Sequence, residues 1–308
     1  MDRLKGKKIG VLMGGLSPER NVSLVTGRAV YEAMKRKGLN TEIIDVDTQI
    51  AHRLSASKLD MAFIALHGTF GEDGTIQGIL EYMKIPYTGS GVLGSALAYD
   101  KVASKELFKY HGIPTADYQI FLKEKRKQTK RTLDLPVVVK PSNQGSSIGV
   151  SIVKSDSEWE EALDEAFSYS EEVLVESFIE GRLIAIGMKE SQTLPIVHIR
   201  PKSGFYNYEA KYTAGKTEYI CPPIDLSATE IRRCEEVATQ VFKVLRGRGF
   251  PRLDAIVDKQ GIPYILEMNT IPGMTATSLL PMAARQAGLE FDDLVIEILK
   301  TARLDYEG

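Results

Sequence analysis

Cysteine is almost missing from this 308-residue chain: Cys221 and Cys234 are the only two, and no CxxC pair occurs. Two isolated thiols cannot build a thiolate metal cluster and allow at most one disulfide, a usage typical of a reducing compartment. An excess of either charge is missing too. Lysine plus arginine number 39 and aspartate plus glutamate 41, a balance of −2 that gives no support to a nucleic-acid or membrane-surface partner. The dense basic run at 123–131 is broken by Glu124 and has no aromatics, so it reads as a solvated loop or helix face. No apolar stretch is long enough to cross a bilayer. The first such stretch, 9–13, has strand length and no small-residue cleavage site behind it, which makes the cytoplasm the expected location. HExxH and Walker A motifs are lacking, so the usual zinc and P-loop chemistries have no support; residues 145–149 formally read G-x-S-x-G, but they lie between two strands and not at the strand-to-helix turn of a serine nucleophile.

What is present is the composition of an ordinary soluble protein, long enough to divide into two or three compact units. The first third alternates strands (9–13, 41–46, 61–66) with helices. One helix opens at Ser17-Pro18 and runs towards Lys37; another covers 74–83. Short βα units of this kind build a parallel sheet whose ligands sit off the carboxyl ends of the strands. Those ends are the loops at 14–19 and 67–74, which brings Glu19 and His67 towards one crevice. His52, His111 and His198 read as structural or exposed. After Tyr99 the pattern changes: a helix at 100–110, strands at 136–140 and 150–153 around a glycine loop, a helix from Ser155, and a strand at 173–177. Strands at 183–188 and 195–199 follow, then a capping box at Ser227 and Glu230 for a long helix, and further helices near Ser278 and Phe291.

The most informative segments are Arg252-Leu253-Asp254 and Glu267-Met268-Asn269, two strand-like runs joined by turn-forming Asp258-Lys259-Gln260-Gly261. Residues two apart on a strand share a face. If the two faces coincide, two carboxylates, an amide oxygen and a guanidinium converge. Hard oxygen ligands suit Mg²⁺, which leaves room for phosphate oxygens and water, and a neighbouring arginine suits developing negative charge. The plain alternative is a surface hairpin with scattered charges.

Gly145-Ser146-Ser147-Ile148-Gly149 follows Lys140 and reads either as a phosphate-cradling loop or as a simple hairpin turn. Gly89-Ser90-Gly91-Val92-Leu93-Gly94 formally matches GxGxxG, but Pro86 interrupts the strand before it and it lies far from the first βα unit. Lys101 at a helix start reads as a solvated charge, and the Tyr206, Tyr208, Lys211, Tyr212 stretch as a loop that either closes on a site or packs itself down.

Taken in order, these residues carry a resemblance. Gly14-Gly15-x-Ser17-x-Glu19, Leu66-His67-Gly68 with Gly71-Glu72-Asp73-Gly74, Lys140-Pro141-Ser142 with the glycine loop, the tyrosine loop, and Glu267-x-Asn269-Thr270-x-Pro272-Gly273 resemble D-alanine–D-alanine ligases of the ATP-grasp superfamily along the whole chain. The resemblance implies an α/β fold of three domains: an N-terminal parallel α/β substrate domain (1–98), a central ATP-grasp subdomain (99–182) and a C-terminal catalytic subdomain (183–308). It implies ATP with two Mg²⁺ ions (Mn²⁺ as a substitute) on Asp254, Glu267 and Asn269. Lys101, Lys140 and Lys211 would meet the phosphates under the Ser147 loop, and Glu176 the adenine. Glu19 would hold the amino group of the first D-alanine, in a network with Ser146 and Tyr212, with His67 near the substrate. Arg252 and the Gly273 amide would stabilise an oxyanion, while Ser278 and Leu279 position the second D-alanine. The implied reaction makes D-alanyl-D-alanine through a D-alanyl phosphate for cell-wall peptidoglycan, in a cytoplasmic homodimer without nucleic-acid or membrane partners.

One position departs from the pattern. The family reads Gly-x-Glu after the adenine strand, its glutamate on the ribose; here Gly181-Arg182-Leu183 supplies no acceptor, so poor discrimination against 2′-deoxy-ATP is expected. Three rivals are set aside on residues. Lys211-Tyr212 opposes a ligase using D-lactate or D-serine, and the Glu19 signature opposes other carboxylates. The set Arg252, Asp254, Glu267, Asn269 opposes a non-catalytic nucleotide sensor.

Overall fold

The computed structural model describes residues 4–145, 147–202, 206, 210–211, 213, 215–275 and 277–306, and it builds three sheets in succession. The first part runs β1 (Lys8–Gly14), α1 (Arg20–Arg36), β2 (Asn40–Val46), α2 (Ile50–Ser57), β3 (Met61–Ile64), α3 (Thr75–Tyr82) and α4 (Val92–Tyr99). Its strands are parallel in the order β2-β1-β3. β1 and β3 are buried along nearly their whole length, which is why they read as unbroken apolar runs.

Helix α5 (Lys101–Tyr110) starts where the Asp100 carboxylate accepts the Ala103 amide at 2.9 Å. It leads to β4 (Tyr118–Leu122), β5 (Val137–Pro141), β6 (Ser151–Val153), α6 (Trp159–Tyr169) and β7 (Glu172–Ser177). These strands form an antiparallel sheet, β4-β7-β5-β6. The third sheet comprises β8 (Gly181–Lys189), β9 (Gln192–Thr193), β10 (Val197–Pro201), β11 (Thr217–Ile220), β12 (Arg252–Asp258) and β13 (Pro263–Asn269). Its antiparallel order is β11-β10-β8-β12-β13, with β9 on β8. Helix α7 (Ala228–Val244) precedes β12, and α8 (Leu279–Gln286) and α9 (Phe291–Lys300) close the fold.

The first and third sheets share a core. Val11, Val30 and Met34 pack in one cluster with Leu280, Leu294 and Leu299, and Arg36–Asp292 and Lys37–Asp293 pairs at 2.7 and 2.6 Å fasten α1 to α9. The middle sheet and α6 keep a core of their own around Phe121, Val139, Leu163, Phe167 and Val175. Helix α5 packs its Phe108 with Val237 and Val241 of α7, on the third sheet.

Most expected elements are present with shifted ends, and two kinds of difference are instructive. The first helix begins at Arg20, not at Ser17-Pro18. Ser17 is no N-cap because its hydroxyl donates to the His67 carbonyl at 2.6 Å and accepts the Glu19 amide. Five elements were not anticipated: α2, α4, β4, β9 and β11. The basic run at 123–131 is a short 3-10 turn, Lys123–Lys125, and an exposed turn tied to α6 through Arg126 pairs with Glu160 and Asp164.

Candidate active site

The hairpin places its polar residues as the alternation implies. Arg252 stands opposite Asn269 and Asp254 opposite Glu267 across the β12–β13 ladder. After that pair the register slips, because Leu266 is an extra residue on β13. The bulge lets Glu267 face the crevice while Ile265 and Ala255, both fully buried, return to the core. Arg252 grips Asp254 at two points, Nε to Oδ1 and Nη2 to Oδ2, each 2.8 Å, and Asn269 Nδ2 donates to Asp254 Oδ2 at 3.4 Å. Burial alone would lower the Arg252 guanidinium, but Asp254 and Glu267 outweigh it and raise it.

Glu267 is the electrostatic centre. Burial would raise its carboxyl, yet Lys101, Lys211, Lys140 and Arg252 together hold it down to about 2. Lys101 Nζ lies 3.6 Å from Glu267 Oε2 and donates to the Gln144 carbonyl at 2.7 Å, so it also carries the glycine loop. Burial lowers the Lys211 ammonium, against the pull of Glu267 and Asp254. A crevice with four cations around one carboxylate is suited to a polyanion.

Across the crevice lie the carboxyl ends of β1 and β3. Glu19 stands at the N-terminal boundary of α1 with no side-chain capping bond, and two glycines give it room: a Cβ on Gly68 (φ +73°) or on Gly145 would stand 2.8 Å from Glu19 Oε2. His67 is buried, its Nε2 3.2 Å from Thr26 Oγ1, and burial pushes its imidazole down to about 4, so it is neutral near pH 7. Glu72 accepts the Gly68 amide at 2.7 Å; burial, with Glu19 beside it, pushes its carboxyl up to about 8. The Tyr99 hydroxyl joins Thr69 at 2.9 Å and the Asn143 carbonyl at 3.0 Å, latching the glycine loop to the 67–74 loop. Ser147 Oγ donates to the Tyr206 carbonyl at 3.3 Å, so the glycine loop also meets the tyrosine segment.

Lys140 on β5 and Glu176 on β7 form a buried pair, Nζ to Oε2 at 2.6 Å. Glu176 has a second cation, Lys105 of α5, 2.7 Å from Oε1. At the far end of the hairpin, Ser278 Oγ accepts the Thr275 amide at 3.1 Å and lies close to Gly273, while Leu279 is buried at the start of α8.

The structure thus gathers Lys101, Lys140, Lys211, Arg252, Asp254, Glu267 and Asn269 with Glu19 and His67 nearby, pairs Glu176 with Lys140, and sets Ser147 against Tyr206, while Gly273, Ser278 and Leu279 follow β13 in the chain. Ser146 and Tyr212 lie outside the described residues. Lys105 and Glu72 were not singled out by the sequence reading. The signal for Lys105 was its place on the buried stripe of α5 with Val102 and Phe108, three residues to either side, where a lysine needs partners. Of the other histidines, His52 and His111 are exposed and His198 is buried beside Asp225.

The chain is similar to known proteins along its whole length. Residues 107–300 match the family model described as D-ala D-ala ligase C-terminus, and residues 45–90 match D-ala D-ala ligase N-terminus. A D-alanine–D-alanine ligase of Geotalea uraniireducens is 49% identical over 305 residues, covering 99% of this chain and 98% of that one. The Geobacter sulfurreducens enzyme is 48% identical over 309 residues, covering 100% and 98%. A crystal structure of D-alanine–D-alanine ligase from Bacillus anthracis superposes with a TM-score of 0.85 at 36% identity, covering 96% of this chain and 97% of that one. The same ligase complexed with ATP gives 0.82 at 35%, covering 96% of each. Two antiparallel sheets flanking a cation-lined crevice, matched at this length, make the architecture an ATP-grasp one. The chain belongs to the D-alanine–D-alanine ligase family. Among the described residues no helix is long and apolar enough to cross a membrane.

Proposed function

We propose that this chain joins two D-alanines to D-alanyl-D-alanine at the cost of ATP, supplying cell-wall peptidoglycan synthesis. It is an ATP-dependent carboxylate–amine ligase of the family established above. The observation that carries the residue-level reading is the convergence of Lys101, Lys140, Lys211 and Arg252 on Glu267, opposite Glu19.

A carboxylate resists attack by an amine, so the first D-alanine takes the γ-phosphoryl group and becomes an acyl phosphate. Glu19 suits its ammonium group, in the space that Gly68 and Gly145 leave open. The lysines neutralise the phosphates and orient the chain for transfer. The amine of the second D-alanine then attacks the acyl carbon, its carboxylate held near Ser278 and Leu279. Arg252 and the Gly273 amide face the oxyanion that develops, and inorganic phosphate leaves. The glycine loop with Ser146 and Ser147, and the tyrosine segment with Tyr212, exclude water from the acyl phosphate. His67, neutral near pH 7, contributes shape and hydrogen bonding but no charge.

Asp254, Glu267 and Asn269 supply two carboxylates and an amide oxygen, and Glu267 remains ionised well below neutral pH. Among the described residues no cluster of three histidine, cysteine, aspartate or glutamate side chains could hold a metal by itself. A donor set this small fits Mg²⁺, two ions of which would take their remaining ligands from phosphate and water, with Mn²⁺ as a substitute. Magnesium there would neutralise phosphate charge. The working units are read as 1–98, 99–182 and 183–308, the assembly as a homodimer and the location as cytoplasmic.

The test is phosphate release from ATP and Mg²⁺ with D-alanine, L-alanine, or D-lactate plus D-alanine, with product masses. Release with D-alanine alone and a D-alanyl-D-alanine mass is expected. Turnover only with D-lactate present would move the second substrate, and turnover with none of them would overturn the reading.

A further inference from the structure

Lys105 is one of the most buried large side chains in the protein, with 1% of its surface exposed. A buried ammonium is costly unless its donors are satisfied. Lys105 Nζ lies 2.6 Å from Thr115 Oγ1, 3.0 Å from the Ala116 carbonyl and 2.7 Å from Glu176 Oε1. Thr115 Oγ1 in turn donates to the Ile265 carbonyl of β13 at 3.1 Å, two residues before Glu267. One side chain therefore ties α5, the middle sheet and the catalytic hairpin together.

Glu176 is 3% exposed, and its Oε2 is taken by Lys140 at 2.6 Å. Its Oε1 is fully buried and lies against the Lys105 ammonium. Flanked by two ammonium groups, the carboxylate is kept ionised against burial, so it can accept a hydrogen bond but has none to donate. Both oxygens retain lone pairs for a further donor.

We infer that Lys105 is a positioning residue that holds Glu176 as an acceptor in register with the β12–β13 hairpin, and thereby sets selectivity for a 6-amino over a 6-oxo purine nucleotide. The inference rests on the proposed reading, in which Glu176 meets the adenine. A carboxylate accepts from an exocyclic amine and repels a carbonyl at the same place. Sites built around one hydrogen-bond polarity discriminate strongly, because the wrong partner leaves a buried polar group unpaired. With Lys105 gone, Glu176 loses one of its two ammonium partners and its link to β13. Both its polarity and its placement then relax. Lys105 has no route to the reacting carbonyl, so phosphoryl transfer and peptide formation should be little affected once nucleotide is bound.

The test compares the full-length wild-type protein, Lys105→Met, Thr115→Val, Glu176→Gln and the Lys105→Met/Glu176→Gln pair, with ATP or ITP at saturating D-alanine. Lys105→Met is expected to raise KM for ATP about tenfold or more while kcat changes by less than about threefold. The ATP-to-ITP ratio of kcat/KM should fall by about tenfold or more, and Lys105→Met should add little in the Glu176→Gln background. Thr115→Val, an isosteric change, should shift the same ratio in the same direction by a smaller factor, and it decides the matter if Lys105→Met does not fold. A merely structural lysine would lower the active fraction with both nucleotides equally and leave the ratio unmoved, which would overturn the inference. Wild-type protein that uses ATP and ITP equally well would also overturn it. A wild-type protein with no D-alanine-dependent phosphate release would instead defeat the functional reading itself.

Discussion

Arg252 grips Asp254 at two points while lying within the field of Glu267, and this geometry is specific to a guanidinium. Lysine at 252 would keep the charge but lose the planar two-point hold. Arg252→Lys is therefore expected to lower kcat by about a hundredfold, the usual scale for losing an oriented oxyanion donor, with KM for ATP little changed. Steady-state kinetics at saturating D-alanine check this, and wild-type kcat in the variant would remove Arg252 from the chemistry. Leu183 carries a second residue-scale prediction. It lies on β8, partly buried against the shared core, with hydrocarbon where the resemblance implies a ribose acceptor. Matched kinetics should give 2′-deoxy-ATP a kcat/KM within about tenfold of that for ATP, since no buried acceptor at this position is left unpaired. A strong preference for ATP would mean that another group reads the 2′-hydroxyl. Arg252, Asp254, Glu267 and Asn269 were legible in the sequence because strand alternation converts spacing directly into facing. Lys105 and Glu72 were not, because their roles come from burial and from partners remote in sequence, Glu176 and Glu19.

At the scale of elements, local rules read the strongly patterned pieces well. The box at Ser227 and Glu230 does open α7: Ser227 Oγ accepts the Glu230 amide at 3.3 Å, and Glu230 accepts the Ser227 amide at 2.7 Å. Arg182 adds an ion pair from β8, and the two contacts hold the Glu230 carboxyl down to about 2 from an ordinary 4.5. A carboxyl lowered on folding stabilises the protein above its unfolded pKa, and that contribution disappears as the pH falls through the folded value. Glu230→Gln should thus cost about 1 kcal/mol at neutral pH. The difference from wild type should close as the pH drops from 4.5 towards 2. Denaturant melts across that range are the check, and a pH-independent difference would point to packing instead. Ser17-Pro18 misled for a comparable reason: the same hydroxyl that can cap a helix was taken by the His67 carbonyl, a tertiary partner. The short strands β4 and β11 were missed because each is formed largely by exposed or half-buried residues and is defined by its neighbour. The bulge at Leu266 lies beyond what alternation alone can reveal.

For the whole molecule, the arrangement of cores is the feature that matters to mechanism. The parallel sheet and the third sheet share one core, whereas the middle sheet and α6 pack around another. The middle sheet and α6 meet the ends of α4 and α5 through polar links: Lys105 to Glu176, Lys101 to the Gln144 carbonyl, and Tyr99 to the Asn143 carbonyl. An element joined by such contacts is the one expected to move over a bound nucleotide. The parallel α/β character of the first third was legible from its alternating strands and helices, whereas the three-part division came from the resemblance. The shared core between residues far apart in sequence, such as Val30 and Leu294, needed coordinates.

The central claim is that this crevice activates a carboxylate by phosphoryl transfer. The most direct measurement uses D-alanine labelled with ¹⁸O in its carboxylate, with ATP and Mg²⁺, and the mass of the released phosphate. If an acyl phosphate forms, the carboxylate oxygen bridges carbon and phosphorus and leaves with the phosphate, so each phosphate should carry one ¹⁸O. Unlabelled phosphate, with peptide still forming, would contradict the account.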